Sequence, residues 1–371
     1  MIIGIDGNEA NESERVGVHQ YAFEILWALY KLQDIKNSYI IYLKSPPSYD
    51  LPPETHLWTY KVIPGGRFWV LSRLMPRVLY TEKLDVFFSP GHYLPPFTGC
   101  PKVMTIHDLG YLKFSEQFTK YDFWQLKYWS AISIFISKYI ICPSKYTAKD
   151  IVRHYPFASN KIKVVYHGYN KALFNKNIDN NFVRQSLQKY RITKNYILFL
   201  STLKPSKNIE GLLDAFKEIR KEYDYKLVIA GKKGWLYETI FRKVKNLGFE
   251  KDVIFTDYVP EVDKPALIKG AKIFVLPSFW EGFGMDVLNA LACGTPVVLS
   301  NVASLPEVGG EAGIYIDPYD IKDIIRGMKK VLKMNSKEYN KLAERGFSQV
   351  QKFSWQKTAK KTLEVLTKAV K

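Results

Sequence analysis

Cysteine is scarce. Cys100, Cys142 and Cys293 are the only three in 371 residues. They are too few and too far apart for a disulfide framework, and none has the spacing of a metal-ligand pair. Long apolar runs are also missing. The longest, such as Ile132–Ile136 and Ile273–Leu276, fall far short of the ~20 residues that span a bilayer. The start, "MIIGID", has neither the basic nor the apolar region of a secretory leader, so residue 1 is expected to belong to the fold and the setting to be cytoplasmic. Several chemistries lack their motifs. There is no G-x-x-x-x-G-K-[ST] phosphate loop, no H-E-x-x-H and no G-x-S-x-G elbow. No Asp-x-Asp pair is present to hold Mg²⁺ on a nucleotide, so no metal and no other cofactor is expected.

Negative charge is the scarcer sign, with 36 Asp and Glu against 54 Lys and Arg, a formal charge of +18. Residues 1–185 hold 22 basic and 15 acidic residues, and the remainder 32 and 21, so the excess is spread over both halves. Nucleic acid, an anionic membrane and a phosphorylated substrate would each suit it, as would a lysine-rich composition without functional meaning. No recognition helix or stacking module speaks for nucleic acid.

What the chain has is length for two domains, 47% hydrophobic residues, and many aromatics: 25 Tyr, 22 Phe and 8 Trp. Short apolar strands alternate with amphipathic helices, the pattern of a parallel sheet covered on both faces. In the first half strands are expected at Ile2–Ile5, Tyr39–Leu43, Asp85–Ser89, Val103–Ile106, Tyr139–Cys142 and Lys163–Tyr166. Helices are expected at Val18–Leu32, Phe118–Ser137 and Lys145–His154. A polar, Asn-rich stretch, Asn175–Ser186, then interrupts the pattern, within a linker placed near residues 168–195. The alternation restarts at Tyr196–Ser201 and continues through Lys226–Gly231, Val253–Phe255, Ile273–Pro277, Pro296–Ser300 and Gly313–Ile316. The fold class is therefore α/β with two Rossmann-like domains, 1–175 and 176–354. The last helix, about 355–371, is a candidate to pack back on the first. Ligands of such sheets bind beyond the carboxyl ends of the strands, so the cleft between two facing sheets is the expected site.

The stretch "PSFWEGFGMDVLNALACGTPVVLSN", Pro277–Asn301, is the most informative. A strand ends, a loop carries Glu281 in front of Gly282-Phe283-Gly284, and a helix follows whose buried face includes Val287 and Leu288. Glycines let the backbone approach a ligand closely, and the amides of 284–287 at a helix start suit a phosphate. The Glu281 carboxylate would meet the hydroxyls of a sugar on that phosphate. A second tight turn, Cys293-Gly294-Thr295-Pro296, closes the helix and adds to the impression of a ligand site.

This segment resembles the donor motif of glycosyltransferase family 4, retaining enzymes of GT-B fold. "LKPSKNIEGLLDAF", "KLVIAGKKGW", "VIFTDYVP" and "LPEVGGEAGIYIDP" agree, as do "GIDGNEA…RVGVHQYAFEIL", "VMTIHDLG", "CPSKYTAKDI" and "KVVYHGYN" in the first half. The likeness covers nearly the whole chain, in order. It implies transfer of a hexose from a nucleoside diphosphate sugar to a hydroxyl acceptor, a glycan or lipid-linked glycan of cell-surface polysaccharide synthesis. It implies three catalytic residues, Glu281 on the donor hexose, Lys207 on the diphosphate, and His107 near the reacting centre. A half-buried imidazole bonded to a local carbonyl is the plainer alternative for His107.

Donor contacts are expected from Gly17, Ser201, Lys204, Tyr258, Val259, Pro260, Gly282, Phe283, Gly284, Met285, Val287, Leu288, Asn289 and Thr295. Tyr258–Pro260 would lie near the base. His19, beside Gly17, is expected to shape acceptor choice, and His56, His92, His154 and His167 to be structural. The chain departs from the family twice. Asn289 stands where the second glutamate of the E-x7-E motif holds the ribose, and the amide loses its charge. The arginine partner of Lys207 falls near uncharged Ser201, with Lys204 a candidate replacement. A degenerate nucleotide-sugar binder and another GT-B enzyme, an epimerase or synthase, therefore stay open as alternatives. For a membrane contact the candidate is Pro64–Tyr80, which sets Phe68, Trp69, Leu71 and Leu74 among Arg67, Arg73 and Arg77. An amphipathic helix packed on the sheet is its alternative.

Overall fold

The computed structural model describes residues 1–117 and 119–371, Asp122 by its backbone alone. Two compact units are present, residues 1–168 with 354–371, and residues 169–353.

The first unit contains strands β1 (Ile2–Asp6), β2 (Ser38–Leu43), β3 (Trp58–Val62), β4 (Val86–Ser89), β5 (Lys102–Thr105), β6 (Tyr139–Cys142) and β7 (Ile162–Val164). They form one sheet of order β3-β2-β1-β4-β5-β6-β7, parallel throughout. Covered on both faces, its central strands are unbroken apolar runs such as Val86-Phe87-Phe88. Two clusters fill the faces. One gathers Ile25, Leu29, Ile41 and Phe88 with Val365 and Leu366 of the C-terminal helix Trp355–Val370; the other gathers Trp69, Leu74, Phe87 and Ile134.

The second unit contains β8 (Tyr196–Leu200), β9 (Lys226–Ala230), β10 (Val253–Asp257), β11 (Ile273–Leu276), β12 (Val297–Ser300) and β13 (Gly313–Ile316). Their order is β10-β9-β8-β11-β12-β13, again all parallel. In both sheets the order reverses once, between β1 and β4 and between β8 and β11. In open parallel sheets ligands bind beyond the carboxyl ends of the strands at such a reversal.

Three segments differ from expectation. Trp58–Val62 is an unforeseen strand: "WTYKV" has no apolar run, and it pairs as the edge of the sheet beside β2. The polar stretch Asn175–Ser186 is not all linker. Asp179 accepts from Asn181 N–H and caps a helix, Asn180–Lys189, that packs on helix Lys264–Gly270. In Pro64–Tyr80, two short helical turns, Val70–Leu74 and Arg77–Thr81, meet at Pro76, and Trp69, Leu74 and Val78 are buried in the core. The packed alternative thus holds for most of its apolar residues; Phe68 and the three arginines stay exposed. Phe118, where helix Phe118–Ser137 is expected to start, lies outside the described residues, and the helix runs over Lys120–Ile136.

Candidate active site

In the second unit the strand order explains which residues meet. β8 and β11 are neighbours at the reversal, so the loops that follow them converge. Phe279 N–H donates to Ser206 O at 2.9 Å, joining the two loops. On this frame Lys207 Nζ lies 2.5 Å from Glu281 Oε1, and both side chains are about nine-tenths buried. Ser278 Oγ donates to the same carboxylate oxygen at 3.0 Å. Ser304 Oγ lies 2.9 Å from Glu281 O and 3.1 Å from Phe283 O, tying the loop from behind. Neither serine stood out in the sequence. Both act through ordinary hydroxyls whose value appears only once the loop is folded.

Lys207 ends a short 3-10 turn, Pro205–Lys207, and Asn208 (φ 54) then turns left-handed into helix Ile209–Ile219. The Asn208 amide holds that turn by donating to Pro318 O at 2.7 Å. Gly284 (φ 98) does the corresponding work before helix Met285–Ala292, in a region an L side chain rarely enters. Of the amides expected to suit a phosphate, Val287 N–H is already bonded to Gly284 O at 3.1 Å. The first turn therefore offers those of Gly284, Met285 and Asp286.

Three expected donor contacts are taken by the fold itself. Val287 and Leu288 are fully buried, and Thr295 is 2% exposed with its hydroxyl donating to Ile268 O at 2.7 Å. The second glycine turn has a local cause as well. Gly294 (φ 78) donates to Leu291 O and Thr295 N–H to Ala290 O, the paired bonds of a Schellman helix stop. That turn is a terminator, and no ligand is needed to account for it.

Asn289 is 5% exposed and donates to Asp286 Oδ1 at 3.4 Å. Asp286 is 3.6 Å from Lys264 Nζ, which also pairs with Glu261 at 2.7 Å. Burial works to lower the Lys264 pKa, but the Glu261 and Asp286 carboxylates outweigh it and raise it, so the ammonium is retained. Glu261 directly follows Tyr258-Val259-Pro260, of which Val259 is buried and the other two are part-exposed. A charged cluster therefore stands beside the uncharged Asn289, and no motif pointed to it. Asn289→Glu would place a carboxylate where Lys264 offsets its charge. Nucleoside diphosphate binding is expected to tighten by about 1 kcal/mol, read by titration calorimetry; weaker binding would mean that Asp286 repels the new group. The Lys204 ammonium lies 4.7 Å from the Trp235 ring centroid. Ser201 is part-exposed, its N–H bonded to Ala230 O.

In the first unit His107 follows β5. It is 8% exposed, and its Nε2 meets Pro90 O at 2.9 Å, the local carbonyl bond of the plainer reading. His92 and His167 are stacked or edge-on to it, and Trp355 of the last helix stacks on His167. "KVVYHGYN" carried His167, yet its place beside His107 emerges only from the fold. Gly17 (φ 52) opens helix Val18–Tyr30 in open space, and His19 Nε2 pairs with Glu9 at 3.0 Å.

Burial drives the His107 pKa down to about 4, and lowers His92 and His167 too. These imidazoles are neutral at pH 7. Because their folded pKa values lie below the unfolded value, the unfolded chain binds more protons across this window. Stability is then fully present above pH ~6.5 and is lost as pH falls toward 4. For His107 the drop from 6.5 to about 4 is worth roughly 3 kcal/mol. Asp6, raised to about 6 by burial, works in the opposite sense and offsets part of it. Thermal unfolding should therefore shift down between pH 6.5 and 4.5, and less so in a His107→Gln variant; a flat profile would contradict neutral burial.

Residues 17–173 match Glycosyltransferase Family 4, and residues 182–349 match Glycosyl transferases group 1. O-antigen chain mannosyltransferase B of Escherichia coli is 31% identical over 289 residues, 75% of this chain and 73% of that one. The chain belongs to glycosyltransferase family 4. A second E. coli relative, the serotype-specific mannosyltransferase WbdA, is 37% identical over 191 residues, half of this glycosyltransferase but only 23% of WbdA. Among solved structures, Anabaena Alr3699/HepE in complex with UDP and glucose aligns over 99% of both chains with a TM-score of 0.77 at 18% identity. The sucrose-phosphate synthase of Thermosynechococcus elongatus aligns over 99% of this chain and 98% of that one, with a TM-score of 0.77 at 17% identity. These likenesses show the GT-B fold. Among the described residues no helix is long and apolar enough to cross a membrane, and no group of three or more His, Cys, Asp or Glu is placed to hold a metal ion.

Proposed function

We propose that this enzyme moves a hexose from a nucleoside diphosphate sugar to a hydroxyl of a growing, lipid-borne glycan, with retention and without a metal ion. The observation that carries this reading is the buried Lys207–Glu281 pair at the meeting of two strand-end loops. An ammonium there can neutralise the diphosphate as it leaves, helped by the first-turn amides of helix Met285–Ala292. The carboxylate beside it can accept hydrogen bonds from the sugar hydroxyls. The two groups satisfy each other, so the fold itself holds both in place.

In the step itself the bond from the sugar C1 to the diphosphate oxygen breaks as the acceptor oxygen bonds C1 from the same face. The acceptor proton passes to the departing phosphate oxygen, so no protein nucleophile is required. His107 is assigned a neutral imidazole near the reacting sugar. Mannose is the preferred hexose, since the E. coli relatives are mannosyltransferases of O-antigen and serotype chains. Polysaccharide synthesis fits the same relatives; a lipid carrier and a hold on an anionic membrane are further parts of this reading.

The test is thermal unfolding with a panel of nucleotide sugars and nucleoside diphosphates, in EDTA. A matched donor at a hundred times its Kd should stabilise by about 2.7 kcal/mol. No stabilisation by any of them would favour a degenerate site centred on Asn289.

A further inference from the structure

The first unit has an apolar surface that its own fold leaves uncovered. Helix Lys120–Ile136 is apolar on two faces. One sets Phe123, Leu126, Ile134 and Ile136 on the core. The other carries Tyr121, Trp124, Tyr128, Ile132 and Phe135, each 45–69% exposed. Their spacing of three or four residues aligns them in one strip, about 20 Å long at the rise of an α-helix. A helix on a soluble protein normally turns a polar face outward, and a contiguous exposed apolar patch marks an interaction site.

Cations stand over this strip along its length. The Arg67 guanidinium lies 4.1 Å from the Tyr121 ring centroid, and Lys127 Nζ 4.9 Å from that of Trp124. Lys161 Nζ is 5.8 Å from the Phe135 ring and also faces exposed Phe157. Rings with positive charge beside them match the boundary between acyl chains and anionic headgroups. A second copy of the chain would bring like charges together.

We propose that this strip is a docking surface for an anionic lipid bilayer. The inference rests on the lipid-borne acceptor of the preceding reading and names the surface that would meet it. It also moves the contact away from Pro64–Tyr80, whose Trp69 and Leu74 are committed to the core. From that segment Arg67 still takes part, through Tyr121.

The test is flotation with phosphatidylcholine vesicles, with and without phosphatidylglycerol, using the full chain and a Trp124→Gln, Tyr128→Gln, Phe135→Gln variant. These side chains are exposed, so the variant should keep its unfolding temperature and its stabilisation by the matched nucleotide sugar. The wild type should bind the anionic vesicles, less at high salt, and the variant should lose roughly tenfold or more in partitioning. Trp124→Phe should keep binding but lose part of the fluorescence quenching by brominated lipid. Equal binding of wild type and triple variant overturns the proposal, as does equal binding to vesicles lacking phosphatidylglycerol. So does a wild-type dimer that the triple variant converts to monomers without vesicle binding, which would assign the strip to a second copy. Failure here with nucleotide-sugar stabilisation intact removes the docking surface alone; loss of that stabilisation with vesicle binding intact removes the transfer reading alone.

Discussion

Glu281→Gln should lower kcat by about 10²- to 10³-fold while binding of the bare nucleoside diphosphate stays as tight or becomes tighter. The reason lies in the pairing. Lys207 is neutralised by Glu281 at 2.5 Å. A neutral amide at 281 releases that ammonium, which can then give its full charge to the diphosphate. The sugar hydroxyls lose their charged acceptor, and that loss is felt as the hexose gains positive character in the transition state. Steady-state kinetics with a verified donor, together with calorimetry on the nucleoside diphosphate, separates the two effects. Unchanged turnover would remove Glu281 from the reaction. Weaker nucleotide binding would mean that the carboxylate serves mainly to position Lys207.

The second large effect is on stability. Lys207→Met leaves the Glu281 carboxylate buried without its cation, which should cost about 3–5 kcal/mol in the unfolding of the second unit. Ser278 still donates to it, but one hydroxyl cannot offset a buried charge. The double variant Lys207→Met, Glu281→Gln should regain most of that loss, because no ion is then left unpaired. Chemical denaturation of the four proteins closes the cycle. Additive losses in the double variant would show that the two side chains do not depend on each other. All three variants should be poor enzymes, so stability and activity part company in the double variant.

Much of this site could be read before folding was considered. Glu281 and Lys207 stood in quoted motifs, and the β-α alternation placed both beyond strand ends. What the alternation could not supply was the order of strands. Only with β8 beside β11 do residues 74 positions apart come within a hydrogen bond of each other. Ser278 and Ser304 escaped because a serine in a loop carries no periodic signal. The Gly294 turn was read as part of a ligand site, whereas its bonds to Leu291 and Ala290 make it a helix stop. Glycine marks a backbone conformation, and the same residue type serves a cap or a close approach to ligand. Helix Asn180–Lys189 was hidden by polarity, since its stability comes from the Asp179 cap and from one face packed on a neighbour. The outer strip of helix Lys120–Ile136 was obscured by the opposite problem. A helix apolar on two faces reads as core, and only its position at the surface separates the covered face from the open one.

The most direct measurement is the anomeric configuration of the product formed in EDTA from the stabilising nucleotide sugar, labelled with ¹³C at C1, and a lipid-linked glycan acceptor. The one-bond C1–H1 coupling reports whether the new linkage keeps the configuration of the donor. Retention, full turnover with metal chelated, and a loss of product in Glu281→Gln of about 10²-fold or more are the expected results. An inverted linkage, or turnover that returns only when a divalent ion is added, would contradict it.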